Sequence, residues 1–387
     1  MVNTTLSKMG TDLDKLVENY PEYTDKYFLR AKQILESEGI NPIVRYQVFA
    51  RQDITALKGV DEAVYFIKQT VGDKAKVYAL KNDQPYTAKE PIMKIEGKVQ
   101  DLIDLETDYL EILSGNLTPA IDLNEIREKA RAIRKAAGNK TLLYFGARHF
   151  HYTLDEKIAK ICQEEGFAGC STDIGARAWG AKGGGTIPHA LVLAYKAYLE
   201  QQGIKANYTV EAAKGFDKHI DPSVPRIVLT DTFNKEVTDS IETARALPNL
   251  VGVRIDTCGE NYTQNSQAQG LPLLDVPKKY LRGKGVKISS AWTLRRALDK
   301  EGFNNVGLVV SSGFNAEKTA AFMEADANYP GRNGTPLFTT IGTGSLASPI
   351  MTTSDICAYF DEAKELWVPN SKTGRSETPS KRLEEVK

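Results

Sequence analysis

Five short runs of β-branched and apolar residues each end in residues suited to handling anions or protons. TLLYF (141–145) is followed by Gly146-Ala147-Arg148, RIVL (226–229) by Thr230-Asp231-Thr232, and VGVRI (251–255) by Asp256-Thr257. VGLVV (306–310) runs into Ser311-Ser312-Gly313, and FTTI (338–341) into Gly342-Thr343-Gly344. The last two turns combine glycine with hydroxyls, which is what backbone amides need in order to approach a phosphate closely. Each alone also fits an ordinary tight turn. As a pair after successive strands, with Asn315 opening a helix behind the first, they read as a phosphate site.

Asp231 and Asp256 close successive strands, so their carboxylates are expected near one another. Next to a phosphate, carboxylates act through magnesium or through ribose hydroxyls, because direct contact is repulsive. The alternative for each is a helix cap or an ion pair. Arg254 lies two residues before Asp256 and so shares its strand face, as an anion clamp or as a buried structural pair. His189 stands where the loop GGGTIPH becomes the helix HALVLAYKAYLE. A helix N-terminus favours neutral imidazole, which can accept a proton or a phosphoryl group; the alternative is a histidine that only packs. His149 and His151 lack a third ligand and do not read as a metal pair.

These residues need a scaffold that brings strand ends together. Most of the strand-like runs are followed by a helical pattern, and strand–helix repetition implies a parallel sheet with its chemistry on the carboxyl rim. Helices are expected at 153–165, 187–202, 234–246, 291–302 and 315–324. Further strands are expected at 286–289 and near Tyr208, which favours an irregular, incomplete α/β barrel over an open sheet. Upstream, TDKYFLRAKQILESEG reads as an amphipathic helix, VRYQVFAR (44–51) as a strand, and GVDEAVYFIKQTVG (59–72) as a helix closed by glycine. Residues 1–22 read as an arm. The expected fold class is α/β: an irregular α/β barrel over 121–350, preceded by a smaller α+β domain over 1–120. A C-terminal extension over 351–387 could pack back onto the first domain, and its tail WVPNSKTGRSETPSKRLEEVK, polar and charged, reads as loosely ordered.

The 387 residues include 50 basic and 50 acidic side chains, so the formal charge cancels. Neutrality gives no support for nucleic acid or an anionic membrane surface as partner. The four cysteines contain no C-x-x-C pair, which argues against structural zinc and a disulfide framework. No signal pattern and no bilayer-length apolar run is present, so a cytoplasmic location is expected.

In order along the chain, TDKYFLRAKQIL, FGARH, GTIPHALVLAY, VLTDTFN, VGVRIDT, VSSGFN and IGTGS resemble the nicotinate phosphoribosyltransferase family, the type II phosphoribosyltransferases. The resemblance implies small-molecule substrates: nicotinate and 5-phosphoribosyl-1-diphosphate are joined to nicotinate mononucleotide and diphosphate, with Mg2+ as cofactor and ATP as co-substrate. It also implies a homodimer or higher homo-oligomer with shared active sites. By the same resemblance Tyr27, from a neighbouring subunit, and Phe145 flank the pyridine ring. Arg148, with His149, reads its carboxylate or amide. His189 is phosphorylated by ATP. Arg254, Asp256 and Asp231 hold the phosphoribosyl diphosphate and its magnesium. Ser311, Ser312 and Gly313, with Gly342, Thr343 and Gly344, bind the 5′-phosphate, and Thr186 in GTIPH joins the substrate-binding set.

The chain departs from the family pattern in three places. Arg148 is followed by His149 where many nicotinate enzymes have a second arginine. Asp173, in CSTDIGAR, falls where nicotinamide-using relatives place a carboxylate on the amide, and VRIDTCGEN carries an extra residue relative to the usual D-S-G-D. A nicotinamide- or quinolinate-specific enzyme is therefore the nearest alternative, and a catalytically silent homologue that binds a phosphorylated sugar is the alternative outside enzymes.

Overall fold

The computed structural model describes residues 2–267, 270–331 and 334–387, with side chains from residue 12 onward. In chain order the strands are β1 (Ile43–Ala50), β2 (Ala75–Ala79), β3 (Met93–Lys98), β4 (Thr141–Tyr144), β5 (Gly169–Cys170) and β6 (Ile227–Leu229). They continue as β7 (Gly252–Ile255), β8 (Gly307–Val310), β9 (Thr340–Thr343), β10 (Thr352–Asp361), β11 (Leu366–Pro369) and β12 (Glu384–Val386).

Two six-stranded sheets result. One is parallel throughout, in the order β5-β4-β9-β8-β7-β6, and curls into a half-barrel whose edges do not meet. Its strands are short, and β7, β8 and β9 are buried on both faces, as helix-covered parallel strands are. The other is antiparallel, in the order β11-β10-β1-β3-β2-β12, and takes strands from both ends of the chain. The tail read as loosely ordered, from Trp367 on, supplies β12 and most of β11. Cross-strand pairing of β10 with β1, from Val44 opposite Tyr359 to Ala50 opposite Thr352, holds the tail segment against the half-barrel's open rim.

Two expected strands are helical. Tyr208–His219 is a helix because the Asn207 side chain accepts from the amides of Thr209 and Val210, and Val210, Ala213 and Phe216 then fall on one buried face. Ile288–Lys300 is a helix whose start is fastened by the Lys287 amide donating to Ser290 Oγ at 3.1 Å. Losing both strands leaves the sheet open. The expected arm is also a helix, Val2–Tyr23, in which Leu16 is buried and Tyr20 donates to Asp104 at 3.0 Å. Among the described residues no helix is long and apolar enough to cross a membrane.

Candidate active site

The carboxyl ends of β4, β7, β8 and β9 open into a cleft of about 360 Å³, lined also by β10 and by Lys372 and Arg375 of the tail. Ser312 (φ 81°) and Gly313 (φ 68°) are both left-handed, so the turn after β8 reverses sharply. Its geometry is held by Lys318, which donates to the Ser312 carbonyl at 2.6 Å, and by Asn315, whose side chain caps the helix Ala316–Ala327. Burial pulls the Lys318 ammonium down to about 7. Thr343 Oγ1 donates to the Phe314 carbonyl at 2.6 Å and accepts from the Ser345 amide at 3.0 Å, tying the two glycine turns together. The amides of Ser312, Gly313 and Gly344 have no protein acceptor among the described residues, which suits an anion.

Two of the glycines are required by close approach. A Cβ on Gly342 would enter the Phe145 ring. One on Gly344 would lie 2.6 Å from both Gly146 Cα and the His149 ring.

Arg254, buried on β7, forms a closed triangle with its neighbours. Nε donates to Ser311 Oγ at 3.0 Å, Nη2 to Asp256 Oδ2 at 3.1 Å, and Ser311 Oγ donates to Asp256 Oδ1 at 3.0 Å. Its guanidinium also sits 5.0 Å from the Phe145 ring centroid. Three contacts leave it a rigid cation at the cleft wall, pre-oriented for an anion.

His189, first residue of the helix His189–Gln201, bonds Thr232 Oγ1 through Nδ1 at 3.0 Å and Lys372 Nζ through Nε2 at 2.8 Å. An ammonium can only donate, so Nε2 is the unprotonated nitrogen and Nδ1 carries the hydrogen. Burial, then the adjacent Lys372 charge, holds the imidazole well below its ordinary range and therefore neutral. Lys372 also binds Asp231 Oδ2 at 2.6 Å and the Asp256 carbonyl at 3.1 Å. Burial alone would lower its charge affinity, but Asp231 and Asp256 outweigh that and raise it.

Asp231 is sealed from solvent and paired with Lys372. Asp256, with 29% of its side chain exposed, fits a magnesium ion held through diphosphate oxygens or water. No group of three or more His, Cys, Asp or Glu side chains suited to a metal occurs among the described residues.

At the aromatic part of the cleft, Tyr27 and Phe145 both line the wall. Tyr27 reaches it from the helix Lys26–Glu38. Arg148 lies 6.0 Å over the Tyr27 ring, with Nε on Asp25 at 3.1 Å and Nη1 on Glu106 at 3.1 Å. His149 donates from Nδ1 to the Gly344 carbonyl at 2.9 Å, and burial lowers it to about 4. It is a neutral brace for the β9 turn, not a second cation.

Three expected residues lie outside the lining. Asp231 stands behind His189, as described. Asp173 is engaged by Lys26 Nζ at 2.6 Å and by the Gly183 amide at 2.8 Å, so it is not the unpaired carboxylate beside the base that its position suggested. Thr186 is buried, its hydroxyl on the Ile187 carbonyl at 3.2 Å.

Sequence reasoning missed Glu106, Lys372, Arg375, Arg51 and Asp355, all of which line the cleft. Glu106 sits in an apolar helical stretch with Asp104, Asp108 and Glu111, and such a density of acids among apolar residues is a signal. The tail residues carry none, because a polar segment reads the same whether it is solvated or docked.

Residues 25–115 match the family model for the N-terminal domain of quinolinate phosphoribosyl transferase. Among solved structures, the chain is similar to nicotinate phosphoribosyltransferase from Porphyromonas gingivalis, at 12% identity and TM-score 0.63, covering 90% of this chain and 92% of that one. The enzyme of the same name from Vibrio cholerae matches at 14% identity and TM-score 0.61, covering 89% of each chain. Nicotinate-nucleotide pyrophosphorylase from Pyrococcus furiosus is 27% identical over 92% of this chain and 80% of its own, with a TM-score of 0.42.

Proposed function

We propose that this chain is a type II phosphoribosyltransferase that makes nicotinate mononucleotide and diphosphate from nicotinate and 5-phosphoribosyl-1-diphosphate, assisted by ATP; the N-terminal domain match and the likeness of fold support the reading. The observation that carries the reading is the joint occurrence, in one cleft, of the Ser312, Gly313 and Gly344 amides left without a protein acceptor among the described residues, the Arg254 clamp, and the Tyr27 and Phe145 rings.

The reaction breaks the bond from ribose C1 to the diphosphate oxygen and forms one from C1 to the pyridine nitrogen, through an oxocarbenium-like state. Such a step needs position and charge compensation more than a strong base. The two glycine turns bind the 5′-phosphate through their amides. Tyr27 and Phe145 aim the ring nitrogen at C1, and Arg148 addresses the 3-substituent. Arg254 meets the charge that builds on the departing diphosphate. Magnesium, when bound, supplies further neutralisation of that diphosphate, with Asp256 the residue that would hold it. His189 is the group ATP phosphorylates, at whichever ring nitrogen is freed of its present partner.

The N-terminal match favours quinolinate as a second reading. Quinolinate carries two carboxylates, whereas the aromatic part of the cleft offers one arginine already shared by two acids, and a neutral His149. Nicotinate fits that charge better.

The test is release of mononucleotide and diphosphate from phosphoribosyl diphosphate and magnesium, with nicotinate, nicotinamide or quinolinate offered separately, with and without ATP. ATP-stimulated turnover of nicotinate supports the proposal. Turnover of quinolinate alone moves the second reading forward, and silence with all three removes the enzymatic reading. His189→Ala should abolish the ATP stimulation and leave slow ATP-independent synthesis.

A further inference from the structure

Glu106 opens the helix Glu106–Leu117 and has 6% of its side chain exposed, yet it lines the cleft beside Tyr27 and Phe145. Its Oε1 accepts from Arg148 Nη1 at 3.1 Å, while Oε2 has no protein donor among the described residues and is not sealed. Arg148 spends Nε on Asp25 and Nη1 on Glu106, leaving Nη2 for a ligand. With Asp173 bound to Lys26 outside the cleft, Glu106 is the carboxyl that meets whatever Arg148 meets.

We infer that Glu106 selects between a pyridine acid and a pyridine amide by its own protonation. The inference rests on the proposed reaction, since it assumes that Arg148 addresses the ring's 3-substituent.

The charges decide the sign. With Asp25 and Glu106 both ionised, the group they form with Arg148 carries one net negative charge, and an incoming carboxylate is repelled. Protonating Glu106 brings the sum to zero and turns Oε2–H into a donor on the carboxyl that Arg148 holds, so a carboxylate meets a second donor besides Arg148. An amide suits the other state: ionised Glu106 accepts its N–H while Arg148 donates to its oxygen.

The surroundings keep both states within reach. Arg148 after β4, Asp25 before the helix Lys26–Glu38 and Asp355 on β10 face Glu106, with the hydroxyls of Tyr46 on β1, Tyr109 on its own helix, and Tyr27 nearby. Burial pushes the Glu106 carboxyl up to about 8, Arg148 opposing this and the two aspartates adding to it. Nicotinate bound above that pH must therefore bring a proton with it.

Calorimetry of nicotinate and of nicotinamide binding, in buffers of different ionisation enthalpy at pH 7 and pH 9, reads that proton directly. Wild-type protein should take up roughly one proton per site with nicotinate at pH 9 and none with nicotinamide. Its preference for the acid should fall by about tenfold per pH unit above the Glu106 titration. Glu106→Gln should bind nicotinate without proton uptake and with a preference independent of pH. Nicotinate binding without uptake in wild type, or uptake undiminished in Glu106→Gln, overturns the inference and leaves the proposed reaction standing. Binding of neither pyridine by wild type overturns both. The wild-type measurement needs no variant, so a folding defect in Glu106→Gln cannot mask the result.

Discussion

Lys372 Nζ donates to His189 Nε2 at 2.8 Å while it is held on Asp231 at 2.6 Å, so one ammonium from the tail sets the tautomer of the histidine at the rim. Nε2 is thereby capped. Access to it requires either that Lys372 shift onto an incoming anion or that the tail segment yield.

Removing that ammonium should be visible on the imidazole itself. In Lys372→Met, His189 loses a repelling charge and its titration should move up towards 6.5, read by nitrogen-15 and proton NMR. The Nδ1–H tautomer preference should weaken at the same time. An unchanged histidine spectrum would show that Lys372 does not govern it. Asp231 is left as an uncompensated buried carboxylate, so the variant should also be less stable by about 3 kcal/mol.

Glu106 makes a second prediction, for stability instead of binding. Its folded value of about 8 lies above the ordinary 4.5, so the folded state holds a proton that the unfolded state releases. That contribution is fully present below about pH 4.5 and is lost as pH rises through 8. Glu106→Gln has no such loss. Its stability relative to wild type should improve between pH 5 and pH 9 by a few kcal/mol at most, measured by urea unfolding at each pH. A pH-independent difference would place the Glu106 titration elsewhere.

Two glycines of the phosphate turns should fail in different ways. Gly344→Ala puts a methyl against Gly146 and His149 and disturbs the His149 bond to the Gly344 carbonyl. It should cost about 1–3 kcal/mol and raise the KM for phosphoribosyl diphosphate. Gly313→Ala meets no atom within 4 Å, and only its φ of 68° is unfavourable. Its cost should stay near 1 kcal/mol. Equal unfolding midpoints for the two variants would contradict the packing argument.

Arg254 tests geometry against charge. Lys in its place keeps the cation but cannot bridge Ser311 and Asp256 together. Arg254→Ala should lower kcat/KM by about a hundredfold or more, and Arg254→Lys should recover only part of that loss. Full activity in the lysine variant would reduce the guanidinium to a simple counter-charge.

Much of this was legible locally. The runs before Arg148, Asp256 and Ser311 are strands, and Asn315 does cap the helix behind the first glycine turn; the strand expected over 338–341 lies instead at Thr340–Thr343 and takes in Gly342 and Thr343. Arg254 and Asp256 share a face because residues two apart on a strand must, and they bond at 3.1 Å. Local pattern failed at Tyr208 and at Ile288, where strands were expected and a capping side chain decided for helix.

What the chain determined by itself, then, was the alternation of strand and helix, the glycine turns, and the placement of His189 at a helix start. Each depends on contacts within a dozen residues. Tertiary structure alone decided that Lys372 would reach His189 across 183 positions, that Asp231 would be neutralised by an ammonium, that Asp173 would be drawn away by Lys26, and that Glu106 would share Arg148. The physical reason is that the antiparallel pairing of β10 with β1 brings the tail against the half-barrel's rim, and ion pairing across that junction is set by distance in space, which composition and periodicity do not encode.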